Sequence, residues 1–347
     1  MRKIQEANLE NKKILLRVDL NVAIENGKAK ETFKIGAAQK TLNYLLEKKC
    51  KVALISHLGR PDGKKNPEFS LSQIKIDLEN ILGLKIIFID DCLSEEKARV
   101  LNDLKEKEVV LLENVRFYPG DEENNNKFSE KLSKGFDVFI NDAFSACHRD
   151  HASVTGVTKF LPSYAGFGLQ REIIEMEKIK NDFARPAVAI IGGAKIETKL
   201  PVIKFFEEKY DNILVGGKIA NEALDQKIQF SEKVILPFDF VDDRLDIGPK
   251  TLEKFKEVIS SAKTIVWNGP TGKFEDAKYA VSTNEVLKYI LEIDAYKIVG
   301  GGETLEVLEK NKAMYQIDFV STGGGAMLEY LSGNEMPGIE ALKISNL

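Results

Sequence analysis

The chain alternates short apolar runs with longer amphipathic stretches from end to end. KILLRVDLN (13–21) reads as a strand ending in polar residues, and a helical pattern follows from about Lys34 to Lys49. KVALISHLGRP (51–61) repeats the design, with His57, Gly59 and Arg60 at its polar end. Ser70 and Gln73 have the spacing of a capping box and open the next helix. Further strands are expected at 85–90, in EVVLLENVRF (108–117) and in FDVFINDAFSACHRDHAS (136–153). Strands alternating with helices predict an α/β protein with parallel sheets, whose ligands bind outside the carboxyl ends of the strands.

The second half keeps the alternation and changes the chemistry of its turns. Residues 162–185 form a junction: Pro162, Gly166 and Gly168 precede an amphipathic helix that leads to Pro186. AVAIIGGAKIETK (187–199) then sets five apolar residues before Gly192, Gly193, Lys195 and Lys199, with Thr198 and Pro201 expected to start a helix. Strand end, glycines, lysines and helix start make an anion cradle. Four more stretches, 211–224, 264–275, 297–310 and 318–331, place glycine or a small polar turn after an apolar strand. Of the 25 glycines, 17 lie from residue 166 onward, so this edge is built from backbone, as close approach to a polyphosphate and a flat base requires.

The ends in the first half instead collect Arg17, Arg60, Arg116 and Arg149 with His57, His148 and His151. Guanidinium forks suit carboxylate and phosphate oxygens, so a small substrate with several negative charges is expected there. Cys147, His148 and His151 lack a fourth zinc ligand of suitable spacing.

Size and charge narrow the picture. At 347 residues the chain suits two domains, and a net charge of −4 offers no general attraction to nucleic acid or an anionic membrane. No apolar run reaches bilayer length, and the first residues lack a signal-peptide core. Three scattered cysteines argue for a reducing cytoplasm. Neither the P-loop pattern nor G-x-G-x-x-G is present, which weakens a hydride-transfer reading.

RVDLN, SHLGRP, LLENVRF, NDAF with HR-HAS, GGAK, WNGP-G-FE, VGGGET and VSTGGGA stand in the order and spacing of the phosphoglycerate kinase family, which the whole chain resembles as far as LSGNEMPGIEAL (331–342). The resemblance implies two doubly wound parallel-sheet domains facing a cleft, joined by a helix, with the C-terminal tail returning to the first. By position these are a phosphoglycerate-binding domain (1–163), a linker helix and hinge (164–182), a nucleotide-binding domain (183–329) and the tail (330–347). It implies reversible phosphoryl transfer between 1,3-bisphosphoglycerate and Mg-ADP, giving 3-phosphoglycerate and Mg-ATP, by a cytoplasmic monomer with Mg2+ as cofactor and neither nucleic acid nor membrane as partner.

Carried over by position, Asp19, Asn21, Lys34, His57, Leu58, Gly59, Arg60, Arg116 and Arg149 resemble the phosphoglycerate site. Gly193, Lys199, Gly217, Asn268, Pro270, Glu275, Gly300, Gly301, Gly302, Glu303 and Thr304 resemble the nucleotide site, with Glu303 as metal ligand. Lys34, Lys195, Lys199, Gly324 and Gly325 resemble the groups around the transferring phosphoryl. The departures are Lys34 where the family has an arginine, Glu303 where it has an aspartate, and Ala23 where it usually has proline. A segment is also missing between Pro237 and Leu245. Lys34 and Glu303 support an alternative, a weakly active or inactive relative that binds nucleotide or phosphoglycerate. A kinase for a different small acid would need a changed substrate site, of which only Lys34 is a sign.

Overall fold

Twelve strands build two parallel sheets, described here from a computed structural model covering residues 1–25, 27–30 and 32–343. The first sheet contains β1 (Lys13–Arg17), β2 (Lys51–Ile55), β3 (Lys85–Ile89), β4 (Glu108–Leu112), β5 (Val138–Asn141) and β6 (Ser163–Ala165), in the order β3-β4-β2-β1-β5-β6. The second contains β7 (Ala187–Ile191), β8 (Asn212–Val215), β9 (Val234–Ile235), β10 (Thr264–Asn268), β11 (Tyr296–Gly300) and β12 (Phe319–Ser321), in the order β9-β8-β7-β10-β11-β12. Every pairing within both sheets is parallel. β7 and β10 are buried along their whole length, as sheets covered by helices on both faces require. At ~1.5–3 kcal/mol per buried large apolar side chain, these central strands carry the core of their unit.

The chain divides into two compact units, Met1–Ile173 with the residues from Glu335 onward, and Ile174–Asn334. Within the first unit the C-terminal segment is held by Arg2 N donating to Leu342 O (3.0 Å) and by Gly338 N donating to Cys147 O (2.9 Å). Cys50, Cys92 and Cys147 are free and buried at separate places. No helix among the described residues is long and apolar enough to cross a membrane.

Element types follow the sequence pattern, and several boundaries move. β1, β2, β4 and β5 stop before the polar motifs, which form loops and short 3-10 turns instead. The helix expected over 34–49 is two helices, Thr32–Ala37 and Gln39–Glu47, separated at Ala38. Ser70 does cap a turn, accepting from Ser72 N, but Gln73 turns its amide to Pro67 O and Glu68 O rather than closing a box. The helix expected to begin around Thr198 and Pro201 starts earlier and spans Ile196–Lys209. Pro201 therefore lies in its interior, where it removes one backbone donor.

Candidate functional site: two sheet edges

In the first unit the residues after β1, β2 and β4 form one bonded network. Arg17, at the end of β1 and 2% exposed, donates to Val18 O (2.6 Å) and lies 2.9 Å from His57 Nδ1. Asp19 accepts from Asn21 N (3.0 Å), and Asn21 Oδ1 accepts from Gly59 N (2.9 Å). Gly59 O in turn accepts from Arg116 Nη1 (2.8 Å), and Arg116 Nε stands 3.3 Å from Glu122. Lys34 Nζ donates to Asn21 O (3.1 Å). Leu58 is buried, its carbonyl held by Asn114 Nδ2 (2.7 Å).

The electrostatics favour an anion. Burial and the charges of Arg17, Arg116 and Lys34 push His57 well below its ordinary value. The ring is therefore neutral, with Nδ1 accepting from Arg17 and the other nitrogen free to donate. His151 is pushed down to about 4 by burial and by Arg116. Burial likewise lowers both Arg17 and Arg116, whose charges oppose each other in the first case. Desolvated like charges held together gain most from an anionic partner.

Arg60 is exposed and acts on Arg116 through charge, while Arg149 bonds His148 through Nε (3.2 Å). Sequence reasoning left Arg17 out of the binding set although it named it at the edge. It also missed Asn114, whose amide ties Leu58 and Phe69 to the β4 end, and the 3.8 Å contact between His151 and Asp121. Asn114 stands inside LLENVRF; the His151 contact has no local signal.

In the second unit the strand order reverses between β7 and β10, and ligands of open parallel sheets bind at such a reversal. Trp267, fully buried in β10, donates its indole N–H to Gly269 O (2.8 Å), and Gly269 N donates to Thr304 Oγ1 (2.7 Å). A Cβ on Gly192 would run into Pro270 O, one on Gly217 into the same oxygen, and one on Gly324 into Gly301. Much of the glycine enrichment thus serves packing of loop backbone on loop backbone, not ligand approach alone. Gly193 differs: its φ is +115°, and a side chain there would meet only Lys199. A Cβ on Gly302 or Gly325 would meet nothing, and one on Gly300 would strike Met327.

Lys199 Nζ bonds Asn268 Oδ1, whose partner atom Nδ2 is buried without a hydrogen-bond partner among the described residues. Lys195 is exposed at the start of the helix Ile196–Lys209. Glu303 occupies the first turn of the helix Gly302–Lys310, and burial together with Glu275 and Glu306 pushes its carboxyl up while Lys199 pulls it down. Gly193, Gly217, Pro270, Glu275 and Glu303 border a cavity of about 310 Å³.

Burial lowers the Lys199 amine to about 8, opposed by the charge of Glu303. Between about pH 8 and the ordinary lysine range the unfolded chain therefore binds more protons than the folded one, so stability rises with pH in that window. Unfolding free energies from urea titrations at pH 7.5, 9 and 10.5 should show a rise of roughly 1–3 kcal/mol that Lys199→Met lacks. An identical pH slope in the variant would remove the assignment of this buried charge.

A family model described as phosphoglycerate kinase matches residues 4–235 and 226–334. The phosphoglycerate kinase of Moorella thermoacetica is 38% identical, across 98% of each chain. The crystal structure of the phosphoglycerate kinase from Pyrococcus horikoshii OT3 superposes with a TM-score of 0.88 at 29% identity, covering 99% of this chain and 98% of that one. The Coxiella burnetii phosphoglycerate kinase structure superposes with a TM-score of 0.80 at 33% identity over 98% of both chains. The two sheet edges, one of arginines and one of glycines, thus stand on a chain that belongs to the phosphoglycerate kinase family.

Proposed function

We propose that this chain catalyses reversible phosphoryl transfer from 1,3-bisphosphoglycerate to Mg-ADP, giving 3-phosphoglycerate and Mg-ATP. The observation that carries the reading is the desolvated Arg17–His57–Arg116 cluster on one sheet edge of a chain whose other edge joins Lys199 to a glycine-lined turn. Arg60, Arg116, Arg149, His57, Asp19 and Asn21 bind the phosphoglycerate; Gly193, Gly217, Pro270 and Glu275 take the nucleoside; Gly300 to Thr304 take the phosphates. The bond from phosphorus to the carboxyl oxygen of the acyl phosphate breaks, its electron pair stays on the departing carboxylate, and a terminal oxygen of the diphosphate forms the new bond to phosphorus. Lys34, Lys195, Lys199 and the amides of Gly324 and Gly325 neutralise the charge spread over the moving group, so catalysis is positioning and charge stabilisation.

Magnesium fits the residues present. Glu303 carries a carboxyl raised by burial and, beyond that, by Glu275 and Glu306, and a carboxylate in such surroundings suits a hard cation. No cluster of three or more metal-ligating side chains occurs among the described residues. In this reading the ion is held by one carboxylate and by substrate phosphates. When bound, it supplies neutralisation of the phosphate charge.

Residues 1–163 act in this reading as the phosphoglycerate domain and 183–329 as the nucleotide domain, with 164–182 as the hinge and 330–347 as the tail. The protein works as a cytoplasmic monomer. A coupled assay with 3-phosphoglycerate and Mg-ATP should give turnover, and small-angle scattering should show compaction when both ligands bind. No turnover in either direction would end the kinase reading. Full turnover at an unchanged radius would end the hinge. Neither the placement of Lys34 nor that of Glu303 favours the inactive alternative.

A further inference from the structure

Arg116 stands beside two consecutive carboxylates, Asp121 and Glu122, which lie outside LLENVRF and every other motif of the substrate edge. The chain passes from Arg116 through Phe117 and Tyr118 into the short helical turn Pro119–Glu122, which brings both carboxylates back toward it. Glu122 is exposed, and its Oε1 lies 3.3 Å from Arg116 Nε. Arg116 Nη1 donates to Gly59 O (2.8 Å). A guanidinium is planar and rigid, so holding Nε and Nη1 fixes the direction in which Nη2 points.

Asp121 is the buried member of the pair. Its Oδ1 accepts from Ser153 N (2.9 Å), its carbonyl accepts from Ala152 N (2.8 Å), and its Oδ2 lies 3.8 Å from His151 Nδ1. The turn after Arg116 is thereby fastened to the loop that carries Arg149 and His151. These two stretches follow β4 and β5, which β2 and β1 separate in the first sheet. Strand pairing therefore does not set the distance between them, and Asp121 does. Burial works against the charged forms of Arg17 and Arg116. Asp121 is the leading charge that supports Arg17, and Glu122 followed by Asp121 supports Arg116. Removing one partner of such a buried pair leaves the other charge uncompensated.

We propose that Asp121 and Glu122 are positioning residues for the phosphoryl-transfer reaction: Glu122 sets the direction of the Arg116 fork, and Asp121 sets the spacing between Arg116 and the loop of Arg149 and His151, so that both meet one phosphoglycerate anion. The inference rests on the phosphoglycerate reading above and adds to it the groups that give that edge its fixed shape. In this arrangement neither carboxylate touches the anion, which each would repel. Repulsion and alignment therefore predict opposite signs for the loss of a carboxylate. Attraction alone would tighten anion binding when a negative charge leaves a cationic edge. A misaimed arginine instead loses a charge-assisted hydrogen bond, worth on the order of tenfold in affinity, and that loss is the larger.

The test is steady-state kinetics with 3-phosphoglycerate and Mg-ATP on Asp121→Asn, Asp121→Glu and Glu122→Gln, each checked for a cooperative thermal transition. Asp121→Asn keeps an acceptor for Ser153 N and loses the charge, and should raise the KM for 3-phosphoglycerate on the order of tenfold. Asp121→Glu keeps the charge and should stay within about threefold of the parent. Glu122→Gln, at an exposed pair, should raise that KM about threefold. Turnover at saturation and the KM for ATP should hold in all three. A KM for 3-phosphoglycerate at or below the parent's in folded Asp121→Asn or folded Glu122→Gln would overturn the inference. An equal rise in both Michaelis constants would overturn it too, since a merely loosened fold acts that way. Glu122 is exposed, so Glu122→Gln decides the matter should Asp121→Asn fail to fold. A parent that turns over no 3-phosphoglycerate would overturn the kinase reading and this inference with it.

Discussion

Glu303→Ala is expected to abolish metal-dependent turnover, and Glu303→Asp to keep or improve it. The helix Gly302–Lys310 begins immediately before Glu303, so its side chain leaves the first turn beside Lys199, Glu275 and Glu306. A carboxylate at a helix start is ordinarily favoured by the dipole. Here burial and the neighbouring carboxylates outweigh that and raise its proton affinity. At this carboxyl the charges of Glu275 and Glu306 oppose that of Lys199. Glutamate is one methylene longer than the family's aspartate and can still reach a cation, but magnesium tolerates poor octahedral geometry badly. Calorimetry separates the metal role from a merely structural one. In the parent, ADP affinity should rise with magnesium, and in Glu303→Ala that dependence should vanish while binding of metal-free ADP holds. If Glu303→Ala retained the magnesium dependence of ADP binding, the metal assignment would be wrong.

The strand ends were legible because glycine and arginine punctuate them, and the parallel sheets followed from the alternation of element types. Boundaries were less legible where distant residues cap an element. The helix Ile196–Lys209 starts ahead of Thr198 because Glu222 accepts from Ile196 N (2.8 Å), a cap supplied from another helix. Asp142, from the end of β5, caps the helix Phe167–Asn181 in the same way by accepting from Leu169 N (3.0 Å). Spacing within a segment cannot reveal either contact. The glycine edge was readable as backbone, yet Gly192, Gly217 and Gly324 owe their identity to neighbouring loops that only the assembled sheet brings near. Arg17 was legible at the first edge, but its bond to His57 was not, since the two lie 40 positions apart in sequence.

Lys34→Ala should lose on the order of a hundredfold in turnover with little change in substrate affinity, and Lys34→Arg should equal or exceed the parent. The helix Thr32–Ala37 directs Lys34 toward Asn21, whose carbonyl accepts from Nζ at 3.1 Å, and its charge helps to keep His57 neutral. A lysine lying idle on the helix surface would have no such neighbours. The family's arginine offers two parallel donors, one set for the substrate carboxylate and one for the moving phosphoryl group. Lysine brings a compact, strongly hydrated charge on a flexible stem, so it attracts without clamping. Removing one donor to a transition-state oxyanion costs ~3–4 kcal/mol, whereas a retained charge limits the deficit of lysine against arginine to roughly tenfold. The effect belongs in kcat because the oxygens concerned carry their full charge only as the phosphoryl group moves. In the proposed reading Arg60, Arg116 and Arg149 supply the ground-state attraction, so KM for the phosphoglycerate substrate should stay near its parental value. The two variants are read by saturating kinetics in both directions. A Lys34→Ala enzyme as fast as the parent would show that another cation carries the transfer and that this position no longer takes part in catalysis.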